Sequence, residues 1–272
     1  MSFISIKPSA ALTGLVESLW DCDWAPAPHC LERVLPSAYG QLIVNLYEDE
    51  TREYFEDDGS LRCVRLAATT LAGPQALSGI IDTREQRQVM GVILHPPGAM
   101  AFARQALDQL RGHSVDVAAL LGERQSGIRQ RLLEAGGPHE RLRLLEQWLC
   151  QRIGGVRPHP AVEFAISSLK AKPQVSRIAD VVRDSGLSPR RFARLFEQNV
   201  GMGAKRYARL LRFRHLVDSA HGSASVNWAG LAADCGFHDQ AHLVHEFRAF
   251  SGMTPGAYLS SQGDYASHLP LP

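Results

Sequence analysis

Three closely spaced arginines, Arg190, Arg191 and Arg194, have a residue type and spacing that point to a defined chemistry. A guanidinium group can donate two hydrogen bonds to O6 and N7 of one guanine, or it can hold a phosphate. Phe192 and Phe196 fall at the spacing of a buried helix face, which leaves the arginines on the opposite, solvated face. The pattern therefore predicts contact with a nucleic acid, against the alternative of ordinary solvated arginines.

A second group of polar residues, Gln240, His242 and His245, lies on a later helical segment. A glutamine side chain can read adenine through N6 and N7. The charge of an imidazole near neutral pH depends on its surroundings. We expect these three side chains to contact DNA as well.

The histidines of this segment also allow a different reading, because His238, His242 and His245 share one helix face. Two imidazoles one turn apart can bind a metal ion. The motif supplies no glutamate or other third ligand, so we expect no metal site and no cofactor.

The cysteines leave open an alternative class of function. Their number is odd and no CxxC pair occurs, which favours reduced thiols over a disulfide framework. A thiol-dependent enzyme or alkyl-group acceptor that carries a DNA-binding module would need a reactive thiol, and Cys22, Cys30 and Cys63 are the candidates. Cys22, His29 and Cys30 are also close enough in sequence to bind a metal or to sense oxidation. Because the chain lacks GxGxxG, GxxxxGK[ST], GxSxG and HExxH, we expect no enzyme activity.

An internal repeat in the sequence indicates which helices and turns position these side chains. Ile178, Val181, Val182 and Gly186 recur fifty positions later as Trp228, Leu231, Ala232 and Gly236. Phe192, Phe196, Gly201, Met202 and Tyr207 recur fifty-one positions later as Leu243, Phe247, Gly252, Met253 and Tyr258. In each copy a short helix ends at a glycine, and a second helix follows a polar turn. Ser188 and Pro189 start the second helix of the first copy, and Asp239 or His238 caps that of the second copy. This arrangement predicts two helix-turn-helix units.

The segment from Ala204 to His221 joins the two units, and Lys205–Arg214 within it is predicted to be a basic amphipathic helix. Its cationic side chains are candidates for phosphate contacts, for simple solvation or for packing against the first unit: Lys205, Arg206, Arg209, Arg212 and Arg214. A continuous helix of this kind would hold the units at one separation. Units roughly 34 Å apart can read successive major-groove segments of one duplex.

The two units resemble the DNA-binding domain of AraC/XylS-type regulators. Gly186–Phe196 is similar to the first unit, Leu231–Leu243 to the second, and Glu246–Tyr258 to the closing motif of that family. The resemblance implies base contacts by Arg190 and Arg194. Family members often carry arginine near the position of His245, so this chain departs from the pattern there. Leu35–Gly40 and Gly73–Gln75 resemble poorly characterised sensor domains of some members.

The N-terminal part is predicted to be β-rich. Gln41–Tyr47 and Gln88–Leu94 are β-branched, apolar runs beside turn signals, and helical periodicity begins only after Ala99. These patterns indicate an α+β protein in which a β-barrel or cupin-like domain, or a small sandwich, and short helices precede an all-α domain. Aromatic residues of this part could line an effector pocket or simply form core: Trp20, Trp24, Tyr39 and Tyr47.

Charge and composition support the same division of the chain. Residues 158–260 hold 13 Lys and Arg against 8 Asp and Glu, whereas the whole chain has a net charge of +1. We predict a sensor or dimerisation domain over 1–153, a DNA-binding domain over 158–260, and a flexible tail over 261–272. A basic C-terminal part favours a polyanionic partner.

The expected partner is double-stranded DNA. A small-molecule effector, RNA polymerase and a second copy of the chain remain open as further partners. No apolar run reaches the length of a membrane span and no signal peptide is evident, so the expected location is the cytoplasm, without membrane contact.

Overall fold

The N-terminal part is built on an antiparallel sheet. The structure, a computed structural model, describes residues 2–24, 30–57, 60–122 and 127–271. The first sheet contains β1 Ser2–Ile6, β2 Val16–Asp23, β4 Gly40–Asn45, β7 Thr69–Ala72, β9 Gln88–Leu94 and β10 Ser114–Asp116 in the order β1-β2-β9-β4-β7-β10. The two predicted strands are thus β4 and β9, and they pair with each other in the middle of the sheet.

A second antiparallel sheet recruits a strand from the other end of the chain. It contains β3 Leu31–Val34, β5 Glu50–Asp57, β6 Ser60–Ala67, β8 Gly79–Asp82 and β11 His268–Leu271 in the order β11-β3-β8-β5-β6. Strand β11 pairs with β3 over its full length, and His268 Nδ1 lies 2.9 Å from Glu32 Oε2.

The N-terminal strands form two sheets and not a closed barrel. Within the described residues no strand ladder joins one sheet to the other. Strand β6 ends the second sheet with a largely exposed, charged surface that includes Arg62 and Arg65. Charged side chains on an edge strand oppose further pairing, which suits an open sheet.

Helices cover one face of the first sheet. They are α1 Pro96–Ala103, α2 Val117–Leu121, α3 Ile128–Leu133 and α4 Pro138–Ile153, with 3₁₀ turns at Ala10–Leu12 and Leu107–Leu110. Leu42, Met90 and Val92 of the sheet are fully buried in one core with Phe102 and Leu145 of the helices. Burial of such apolar surface is the main contribution to the stability of this part.

The remainder of the chain is helical apart from β11. Its helices are α5 Pro160–Ala171, α6 Ile178–Asp184, α7 Pro189–Val200, α8 Ala204–Ala220, α9 Trp228–Asp234, α10 Gln240–Ser251 and α11 Pro255–Ser261. Their core contains Phe213, Phe247 and Tyr258, and it also includes Leu35 and Ala76 of the N-terminal part. The α+β class is therefore as predicted, and the two parts share buried surface.

A flexible tail is predicted over 261–272, but the described residues of this segment include a paired strand. Residues 268–271 form β11, and Leu269 is fully buried. The pairing partner β3 is more than 230 positions away, so no local pattern reveals it. The segment between α4 and α5, which contains the predicted boundary between the two domains, lacks regular structure.

None of the helices in the described ranges is long and apolar enough to cross a membrane.

Candidate nucleic-acid interface

The first helix-turn-helix unit consists of α6 and α7. Gly186 adopts a φ of +71° after α6, a conformation that glycine enters at little cost. The Ser185 hydroxyl supports the turn by accepting a hydrogen bond from the Leu187 N–H at 3.3 Å. Pro189 occupies the first position of α7, as predicted, whereas the Ser188 hydroxyl makes no capping hydrogen bond.

Helix α7 separates a buried face from an exposed one. Phe192, Phe196 and Val200 are buried. The exposed side carries the three predicted arginines Arg190, Arg191 and Arg194, together with Ala193 and Gln198. The structure therefore brings the arginines together on one solvent-facing helix surface.

The second unit consists of α9 and α10. Gly236 takes a φ of +75° between them, and the Asp239 carboxylate accepts the His242 backbone N–H at 2.7 Å. That hydrogen bond, with a further one from the His238 ring, holds the pKa of Asp239 below its ordinary value. The predicted aspartate cap of α10 is thus present in the structure.

The three predicted contact residues of α10 differ in their surroundings. Gln240 and His245 are exposed, while His242 is half-buried. His242 Nδ1 accepts a hydrogen bond from the His238 N–H at 3.2 Å, and its ring meets Phe237 edge-on at 5.6 Å. His242 therefore supports the turn, and its Nε2 is the ring nitrogen left for a partner. Nowhere in the described ranges do three His, Cys, Asp or Glu side chains converge as metal ligands.

The connecting helix α8 uses its arginines for internal contacts that the sequence did not reveal. Arg209 donates two hydrogen bonds of 2.7 Å to Glu246 of α10. Burial alone would raise the pKa of Glu246, but the hydrogen bonds and the charge of Arg209, together with other positive charges nearby, hold that pKa below its ordinary value. Arg212 donates to the Gly236 carbonyl at 3.3 Å. These two contacts join α8 to the second unit, and an aromatic contact between α8 and α7 joins it to the first unit as well.

The thiols considered for the N-terminal part differ in their surroundings. Cys22 is buried, and burial raises the pKa of its thiol to about 12. An activated thiol needs a lowered pKa, so Cys22 has the opposite properties. Cys30 and Cys63 are exposed, and His29 lies outside the described residues.

The aromatic residues considered for an effector pocket lie apart. Trp24 packs with Phe3 and Tyr265, whereas the Tyr39 ring meets His95 at 5.4 Å. Tyr47 is about half exposed and stacks beneath Arg87. Their contacts indicate separate local packing roles.

Comparisons with known proteins agree with this geometry. Residues 181–261 match a family described as a helix-turn-helix domain, and residues 4–116 match a domain family of unknown function, DUF6597. No curated protein sequence matches the chain significantly.

Similar solved structures include regulators. The DNA-binding domain of AdpA, a global transcriptional factor, in complex with a target DNA is 21% identical, with 38% of this chain and 92% of that chain covered and a TM-score of 0.35. ToxT from Vibrio cholerae O395 is 11% identical, with 95% and 97% covered and a TM-score of 0.46. Wild-type ToxT of strain SCE256 with bound unsaturated fatty acid is 10% identical, with 95% of both chains covered and a TM-score of 0.47.

The family match at residues 181–261 coincides with the two units built from α6, α7, α9 and α10. The chain is accordingly a DNA-binding transcription regulator with a C-terminal helix-turn-helix domain of the AraC/XylS type and an N-terminal domain of a family of unknown function.

Proposed function

We propose that α7 and α10 enter successive major-groove segments of one DNA duplex. The observation that carries this proposal is that both helices expose polar faces while α8 contacts both of them. It contacts α10 through the Arg209–Glu246 pair and α7 through the rings of Tyr207 and Phe196. Arg190, Arg191 and Arg194 contact one segment, and Gln240, His242 and His245 contact the other. Such a chain recognises two blocks of sequence about one helical turn apart.

Selection of bound sequences from a random duplex pool tests this proposal. The full chain is the material to use, because Leu35 and Ala76 contribute to the core of the C-terminal helices. We expect enrichment of two blocks whose centres are about 10 base pairs apart. Enrichment of a single block would reject the role of one recognition helix, and binding without enrichment would reject sequence-specific readout.

The N-terminal domain is proposed to respond to a small-molecule effector. A cavity of about 160 Å³ lies between this domain and α5, with His95 and Pro97 on one side and Ile166, Ser167 and Lys170 on the other. A ligand there touches both parts and can change how they pack. An effector found by screening should raise the Tm of the wild type but not that of Ser167→Trp, in which the indole fills the cavity.

Two macromolecular partners complete the proposal. A homodimer formed through the N-terminal domain would link two weak DNA sites and increase the overall affinity. Light scattering at several protein concentrations measures the oligomeric state, and a monomer at all concentrations contradicts the proposed dimer.

RNA polymerase is the proposed downstream partner. Transcription in vitro from a template with a selected site measures its response to the protein. The proposed location is the cytoplasm.

A further inference from the structure

The first recognition helix carries one acidic side chain, and that side chain is paired across the two domains. Glu197 is the sole Asp or Glu within Pro189–Val200. Its Oε1 lies 3.3 Å from Nη1 of Arg111, which follows the 3₁₀ turn Leu107–Leu110 of the N-terminal domain. Both side chains are about 40% exposed, at 42% for Arg111 and 43% for Glu197.

This pair lies towards the C-terminal end of the exposed face of α7. Glu197 follows Arg194 by three positions and Arg190 by seven, so these three residues share one helix face. An α-helix with side chains is about 10–12 Å across, and the major groove is about 12 Å wide. A recognition helix contacts base edges with its N-terminal residues, so a side chain near the C-terminal end of the inserted face lies beside the phosphates that line the groove.

The N-terminal domain is packed firmly against this end of α7. Gly201 ends the helix with a φ of +80°, and a Cβ added there would lie 3.0 Å from Pro74 Cγ and 3.1 Å from the Leu107 carbonyl oxygen. Met202, the next residue, is fully buried. The loop that carries Arg111 is consequently held next to the recognition helix.

Glu197 by itself would repel a phosphate at this position. A guanidinium beside it neutralises that charge, and its remaining N–H groups are available to a phosphate oxygen. We propose that Arg111 of the N-terminal domain binds the DNA backbone next to the first recognition helix, so that the DNA-binding surface extends beyond the helix-turn-helix domain. This inference rests on the proposed insertion of α7 into the major groove.

The salt dependence of DNA affinity distinguishes a phosphate contact from simple neutralisation of Glu197. Each neutralised phosphate contributes about −0.9 to the slope of log K against log[salt]. With the full chain and a duplex selected by the wild type, we expect Arg111→Ala to make that slope shallower by about 0.9. Arg111→Lys keeps the charge and should retain the slope.

The decisive comparison is made in the Glu197→Gln background. If Arg111 binds phosphate, Arg111→Ala still makes the slope shallower by about 0.9 when Glu197 is already neutral. If Arg111 only neutralises Glu197, the substitution has no effect in this background, and the proposal is wrong. The unfolding midpoint should remain near that of the wild type, because exposed ion pairs contribute little to stability.

Two control variants separate this proposal from the function on which it rests. Arg143 is a comparably exposed arginine of the N-terminal domain that pairs with Glu140 within α4 at 3.6 Å. Arg143→Ala should leave the slope unchanged. An equal effect of Arg143→Ala and Arg111→Ala would overturn the proposal, because it would indicate a general charge effect.

Arg194→Ala tests α7 itself. If it weakens binding while Arg111→Ala does not, the proposal alone fails. If neither has an effect, the insertion of α7 also fails.

Discussion

At the scale of single residues, Arg190 and Arg194 are the side chains with the most direct predicted role. They are exposed one turn apart on α7. Replacement of either by alanine should cost about 1–3 kcal/mol of binding free energy and relax specificity at one base pair, if each reads a base. Binding to the selected duplex and to its single-base variants measures both quantities. An equal loss of affinity for all duplexes would instead indicate that the arginine contacts a phosphate.

His95 has a different role, since its ring is buried between the two parts of the chain. Burial, reinforced by the charge of Lys170 and opposed by Glu17, lowers the pKa of His95 from 6.5 to about 4. Its Nε2 lies 3.2 Å from Glu17 Oε2. The unfolded chain therefore binds a proton on this residue at a pH where the folded chain does not.

This difference in proton binding predicts a loss of stability in mild acid. The part of the folding stability that depends on neutral His95 is fully present above pH 6.5, and it is lost as the pH falls from 6.5 towards about 4. The contribution of His95 is at most about 3 kcal/mol. Urea unfolding at several pH values measures it, with His95→Asn as the comparison. An identical pH dependence of the two proteins would contradict the assignment.

At the scale of elements, the two turns look equivalent in sequence but differ in their packing. Gly186 and Gly236 both have positive φ values. A Cβ on Gly186 would meet no heavy atom within 4 Å, whereas one on Gly236 would lie 2.2 Å from the Gln174 carbonyl oxygen. The second turn is thus packed against the segment between α5 and α6.

This contrast leads to a matched pair of substitutions. Gly186→Ala should reduce the free energy of unfolding by about 1–2 kcal/mol, because only the left-handed conformation is penalised. Gly236→Ala should cost clearly more, because the backbone of Gln174 has to move as well. Chemical denaturation compares the two variants, and equal losses would show that the contact with Gln174 is unimportant.

At the scale of the whole molecule, β11 fastens the C-terminal end of the chain to the N-terminal domain. Leu269 is fully buried within the core of the C-terminal helices, and Leu271 of the same strand is only half-buried. Arg33 of β3 adds to this junction, because it donates to the Ser78 hydroxyl, which in turn donates to the Ser251 carbonyl of α10.

A substitution in β11 should therefore affect the stability of the protein as a unit. Leu269→Ala should reduce the free energy of unfolding by about 2–5 kcal/mol, the range for a buried leucine. Leu271→Ala serves as the control in the same strand, with a much smaller loss expected. Denaturation followed by tryptophan fluorescence measures both. A small effect of Leu269→Ala would mean that the strand contributes little to the junction.

The sequence by itself determined the helices, the glycine turns and the exposed arginine face. These features depend on interactions within a few residues of the chain. The buried position of Phe192, the turn at Gly186 and the helix cap at Asp239 could therefore be predicted without coordinates. The repeat then predicted two units of the same kind, and both are present.

How these elements pack together was decided only by the tertiary structure. The N-terminal strands form two open sheets instead of the predicted barrel, and residues 268–271 form a strand of the second sheet. Arg209 pairs with Glu246, and Arg111 pairs with Glu197. The physical reason is that these contacts join residues far apart in the chain. The periodicity of apolar residues indicates which face of a helix or strand is buried, but it does not indicate which distant part of the chain covers that face.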